Sequence, residues 1–135
     1  MRRIALPFGG LIVAAATLSA QQCAPPPAGE DTTAAAITPA VIARGDSIFH
    51  GQVAAGTCAA CHGPTGTGIP GMTHDLTSPK RLNGDGSYGS MMQIVREGVT
   101  PTQGVPMPPS GGASLTADDI QAVAAYVYCL SHPRR

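Results

Sequence analysis

The chain has 135 residues, with eight Lys or Arg balancing eight Asp or Glu, so its formal net charge is zero. No basic run or stripe occurs, which removes the electrostatic basis for nucleic-acid binding. Two Phe, three Tyr and no Trp, set against 17 Gly and 13 Pro, leave few large side chains to fill a close-packed interior. A bulky apolar cofactor would supply the missing volume.

Residues 1–20 read as a signal peptide. Met1-Arg2-Arg3 is a short positive start, Ile4 to Ala16 is apolar or small apart from Pro7 and two glycines, and Thr17-Leu18-Ser19-Ala20 offers small residues for cleavage. The alternative is an uncut anchor, but Ile4 to Ala20 spans 17 residues, short of the roughly 20 that a bilayer-spanning helix uses. Cleavage after residue 22 would also remove Arg2 and Arg3, leaving six basic residues against eight acidic ones, a balance of −2. Residues 21–37 read as a Pro/Ala-rich tether, because Pro25, Pro26 and Pro27 exclude helix and favour an extended conformation. Cys23 follows Gln21 and Gln22 rather than the small residues of a lipid-attachment signal. It is therefore expected to be a free or partnered thiol, with a lipid tether as the alternative. Residues 38–135 remain as one domain, expected to be monomeric.

Within that domain the first helix is expected to start at Thr38, a good cap, with Pro39 in the first helical position, where no amide hydrogen is needed. Val41, Gly45 and Ile48 share one side of it, Ile42 and Phe49 adjoin, and the helix should fade near Gly51. Residues 63–86 are broken repeatedly by Gly, Pro, Asn and Asp and read as loop. A second helix is predicted from the cap Ser87 to Glu97, stopped by Gly98, with Tyr88, Met91, Met92 and Val95 as its apolar stripe. Residues 99–114 are again loop. The last helix has the strongest signal: Thr116 and Asp119 are spaced as a capping box, and Leu115 and Ile120 hold the staple positions around it. Ile120, Val123, Ala124 and Val127 form its predicted buried stripe, and Pro133 bars continuation. No segment alternates as a strand would. The fold class is therefore all-α, with long loops that need something to pack on.

Cys58-Ala59-Ala60-Cys61-His62 carries the chemistry. Two thiols three positions apart can each bond one vinyl-derived carbon of the same porphyrin, and the adjacent histidine then supplies an axial nitrogen to the iron. Three other readings compete. A thioredoxin-type dithiol would need a preceding strand, and none is visible. A zinc site would need a second pair of close ligands, whereas Cys23 and Cys129 lie far apart in sequence. A plain disulfide would leave His62 unexplained.

Four methionines compete for the position opposite His62. Met72 lies 10 residues beyond it, in a loop expected on the histidine side. Met91 and Met92 read more simply as helix packing. Met107, 45 residues beyond His62, sits in Val105-Pro106-Met107-Pro108-Pro109. The flanking prolines reduce the entropy lost when that loop is held over a ring. Met107 is the preferred sixth ligand, and His74 is the alternative.

These residues together resemble the small bacterial class I cytochromes c. The resemblance spans Arg44 to His132 and rests on pieces that come in family order. They are Gly45 to Phe49, the haem motif with Gly63, Gly71 to Leu76, Val95-Arg96-Glu97-Gly98-Val99, Met107-Pro108-Pro109 with Gly111-Gly112, and Ala122 to Leu130. It implies three to four helices and long loops wrapped around one covalent haem c, held by Cys58 and Cys61 and ligated through iron by His62 and Met107. It implies a close crossing of the first and last helices at Gly45, Phe49, Val123 and Tyr126, and packing of Leu76 on the haem. Arg81 and Tyr88 become candidates for bonding a propionate, with solvated or core roles as the alternative. Two departures stand out. His74-Asp75-Leu76 replaces the family's Pro-Asn-Leu or Pro-Asp-Leu, so the carbonyl that would orient the ligand imidazole belongs to His74. Cys129 stands where a small polar residue is common and reads as a buried, inert thiol.

The expected function is single-electron carriage in the periplasm or on the extracytoplasmic face of the membrane. The expected partners are redox proteins such as a dehydrogenase, a bc-type complex or a terminal oxidase. A dedicated electron-input subunit of a larger enzyme is the second reading. An open-site haem sensor or enzyme is the third, and it requires that Met107 not ligate.

Overall fold

The computed structural model describes residues 23–27, 37–80, 82–100 and 105–133. The expected signal peptide, most of the tether, and Arg81 lie outside the described residues. Four helices follow in order: α1 (Pro39–Phe49), α2 (Cys58–His62), α3 (Tyr88–Glu97) and α4 (Ala117–Ser131), with a 3-10 turn at Pro109–Gly112 before α4. Among the described residues the only β pairing is two isolated bridges, so the all-α class holds. No helix there is long and apolar enough to cross a membrane.

The helix ends follow their capping chemistry. Thr38 accepts a bond from the Val41 amide, and Ser87 accepts one from the Ser90 amide. Thr116 and Asp119 form the reciprocal box at the start of α4. Asp119 is buried there and also accepts from Arg44 Nε at 3.0 Å, so α1 is pinned to the first turn of α4 by a charged pair. Hydrogen bonds from Thr116 first, then Arg44, hold its carboxyl below the usual range.

α1 and α4 cross at Gly45. A Cβ there would sit 2.0 Å from the Ala122 carbonyl oxygen, closer than any real contact. On either side of this crossing lie two apolar clusters. One gathers Ile42, Tyr88, Met91, Ala124, Ala125 and Tyr128; the other gathers Ile48, Phe49, Leu76, Val95, Ile120 and Val123. Burial on α4 extends beyond the expected stripe to Ala122, Ala125 and Tyr128, whereas Val127 is only half-buried. The reason is that α1 and α3 both pack on α4, while Val127 faces a cavity.

One expectation needs correction. Cys129 is not a free, inert thiol: it is bonded to Cys23, 106 positions away. The Ala24 amide also bonds the His132 carbonyl at 2.8 Å, so Cys23 is carried to the end of α4 by backbone pairing as well. Its sulfur, once in that bond, has no valence left for a lipid thioether. Of the roles open to Tyr88, the structure shows the core one: it is buried and its hydroxyl donates to the Gln121 carbonyl at 2.9 Å, not to a propionate.

Candidate functional site

The site begins where α1 ends. Gly51, Ala54 and Ala55 all take positive φ, which folds the chain back sharply. Gly56 then lies so close to α1 that a Cβ would meet the Ile48 carbonyl oxygen at 1.9 Å. This return presses Cys58 and Ala59 against the Ile48 cluster and starts α2 beside the core. α2 is a single short helix that the sequence pattern did not reveal, since five residues are too few to show a period.

α2 is anchored at its C-terminal end by side chains and turns. Thr73 Oγ1 donates to the Cys61 carbonyl at 2.6 Å and accepts from the Ile69 amide at 3.0 Å. The Gly68 amide donates to the His62 carbonyl at 2.9 Å. These bonds satisfy carbonyls that a helix end leaves unpaired. His50 adds a strap from α1, with Nε2 2.7 Å from the Pro64 carbonyl and Nδ1 2.9 Å from that of Asp46. The Pro64 carbonyl is the largest influence raising the His50 pKa above its ordinary value.

Met107 is held from another direction. Its amide and carbonyl both pair with Val99, at 2.9 Å and 2.8 Å, just past the end of α3. Gly98 makes this approach possible, because it turns with φ +74° and a Cβ there would lie 2.3 Å from the Met107 carbonyl oxygen. The loop's backbone is therefore fixed at the residue that the sequence singled out.

The two arms meet around one cavity of about 830 Å³. Cys58, Cys61 and His62 line it from α2, Met107 lines it from the proline-rich loop, and Phe49, Leu76, Ile94, Val95, Val123 and Val127 supply apolar wall. Met72, Met91 and His74 also reach it, whereas Met92 does not. Met91 is a buried core residue, as expected, and Met72 is exposed at 38%. Among the described residues no Asp, Glu, Lys or Arg lines the cavity.

The donor set fits a covalent haem. Cys58 and Cys61 are free thiols on one short helix, which is what two thioether bonds to one porphyrin require. Burial pushes the Cys58 thiol pKa up. Burial first, then the charge of nearby His74, pushes the His62 pKa down, so its ring stays neutral and keeps a lone pair for a metal. The ring's Nδ1 is enclosed without a hydrogen-bond partner. The His74 carbonyl, a candidate acceptor for it in the sequence, does not take that bond. The competing readings lose ground on geometry. The remaining cysteines are tied to each other, and among the described residues no three His, Cys, Asp or Glu side chains gather to hold a metal ion.

Residues 40–127 match the family described as cytochrome c oxidase, cbb3-type, subunit III. The cbb3-type cytochrome c oxidase subunit CcoP of Cereibacter sphaeroides is 38% identical over 91 residues, covering 67% of this chain and 28% of that protein. The chain thus spans little more than a quarter of the length of the curated relative it matches. Among solved structures, cytochrome CL from the marine methylotrophic bacterium Methylophaga aminisulfidivorans MPT aligns with a TM-score of 0.49 at 21% identity. That alignment covers 65% of this chain and 51% of the other.

Proposed function

The chain belongs to the cytochrome c family described as cbb3-type oxidase subunit III, and we propose that it is a single-electron carrier holding one covalent haem c in the cavity between α2 and the Met107 loop. Bound haem supplies an iron that exchanges one electron between its ferrous and ferric states. Cys58 and Cys61 would hold the porphyrin, and the His62 ring nitrogen and the Met107 sulfur would be the iron's protein ligands. The observation that carries this reading is that all four side chains line one cavity.

Each residue is suited to its part. Enclosure keeps His62 neutral. The paired bonds to Val99 hold Met107 in place before any ligand arrives, which reduces the entropy of closing its loop. Thioether sulfur is a soft donor and favours the ferrous state. With both His62 and Met107 as ligands the iron would have no coordination site left for a substrate, which would favour carriage over sensing or catalysis.

Residues 1–20 would direct export, and the start of the 21–37 segment would stay fastened to the end of α4 through Cys23 and Ala24. The Cys23–Cys129 disulfide supports an extracytoplasmic place, because such bonds persist where the surroundings are oxidising. The carrier would pass electrons between a dehydrogenase or bc-type complex and a terminal oxidase. A second reading, a haem-bearing subunit of a larger oxidase, is favoured by the identity to a protein named as such a subunit.

Intact mass and absorption spectra of the exported protein test the proposal. One haem per chain and a ferrous form that resists carbon monoxide are expected. A ferrous form that binds carbon monoxide tightly would replace the carrier with a sensor or enzyme. Stable co-purification with an oxidase would select the subunit reading.

A further inference from the structure

We propose that Thr57 is a positioning residue: its hydroxyl locks the loop carrying Met107 onto the helix carrying His62. The inference rests on the reading of Met107 as an axial ligand and adds a residue to it.

Thr57 stands at the N-cap of α2, where a threonine would ordinarily accept a bond from an amide of the first turn. It makes no such bond. Its Oγ1 instead donates to the Gly111 carbonyl at 3.0 Å, reaching a residue 54 positions away. The acceptor lies in a turn that needs holding. Ser110 has φ +56° and Gly111 φ +62°, and a left-handed non-glycine residue is strained. The Gly111 amide bonds the Pro108 carbonyl at 2.9 Å and the Ala113 amide bonds that of Ser110 at 3.1 Å, which closes the turn on itself. Thr57 then fastens the closed turn to α2.

The consequence concerns the two sides of the cavity. At Met107 the loop is anchored to the end of α3 through Val99. At Gly111 it is anchored to α2, the element that bears Cys58, Cys61 and His62. The first anchor sets the loop against the scaffold; the second sets it against the opposite ligand. A small molecule replacing the Met107 sulfur needs the loop to swing outward, and that swing breaks the Thr57 bond.

The test uses the ferric holoprotein with imidazole as the probe, in wild type, Thr57→Val and Thr57→Ser. Valine keeps the shape of threonine without the hydroxyl, and serine keeps the hydroxyl. Thr57→Val is expected to bind imidazole about fivefold more tightly, the equivalent of one ordinary hydrogen bond. Its Ser110, Gly111, Gly112 and Ala113 amides should exchange hydrogen faster, and Thr57→Ser should restore both values. Should the valine variant fail to mature with haem, Thr57→Ala is measured with the same expectations. Unchanged exchange in the loop overturns the proposal. So does a lowered melting temperature with unchanged imidazole affinity, which would mark a merely structural role. A wild type lacking the near-infrared sulfur-to-iron band would instead overturn the Met107 reading, and the exchange rates would still decide whether Thr57 fastens the loop.

Discussion

Gly45→Ala should weaken the whole domain, because the crossing of α1 and α4 has no room for a methyl group. The new Cβ would lie 2.0 Å from the Ala122 carbonyl oxygen, 2.6 Å from its carbon and 2.8 Å from Tyr126 Cβ. Two of these three atoms are backbone, so no rotamer change relieves them. The helices must part by about 1 Å, which places the cost near the upper end of overpacking, about 3 kcal/mol. Alanine's better helix propensity returns about 1 kcal/mol. The net loss of about 2 kcal/mol should lower Tm by on the order of 10 °C for a domain of this size. Gly89→Ala is the matched control: that glycine also lies inside a helix, and nothing comes within 4 Å of its added Cβ. It should melt at or slightly above the wild-type temperature. Circular dichroism melts of the haem-loaded proteins decide the matter. A Gly45→Ala melt indistinguishable from wild type would refute the argument that backbone contact sets the crossing.

Cys58→Ala combined with Cys61→Ala should give only apoprotein by intact mass, and wild-type haem that extracts into acidified organic solvent would contradict the covalent assignment. Cys23→Ser combined with Cys129→Ser should cost about 2–4 kcal/mol in urea unfolding, because the bond closes a long loop in the unfolded chain; wild-type mass should rise by two hydrogens on reduction once the haem contribution is accounted for. Asp119, whose folded pKa lies below its unfolded value, adds stability that is present above the unfolded pKa and lost as pH falls through the folded one. Asp119→Asn should therefore be less stable than wild type at neutral pH, and the gap should close under acid; a gap that stays constant with pH would show that the carboxylate charge is not the cause.

The helices were legible because their ends carry local chemistry. Thr38, Ser87 and Thr116 each accept the amide bond that their positions predict. The glycine at the crossing was legible only through resemblance, since a glycine's close neighbour is a backbone atom far along the chain. α2 escaped notice because it is too short for periodicity. The bonds that shape the cavity escaped for a related reason. Thr57 and Thr73 reach carbonyls 54 and 12 positions away, and every residue has a carbonyl, so nothing in the sequence marks the acceptor. The pairing of Cys23 with Cys129 was hidden by the proline run, which reads as a free tether until the segment is seen against the end of α4. Tyr88 takes the core role that the apolar stripe predicts, and its hydroxyl is taken up by a helix carbonyl rather than left for a propionate.

The central claim is that Met107 and His62 fill both axial positions of one haem. The direct measurement is the near-infrared absorption of the ferric holoprotein, taken for wild type and for alanine variants at Met72, Met91, Met92 and Met107. Wild type and the first three variants should show the sulfur-to-iron band, while Met107→Ala should lose it and bind carbon monoxide readily once reduced. A band that survives Met107→Ala and disappears in one of the other variants would contradict the claim.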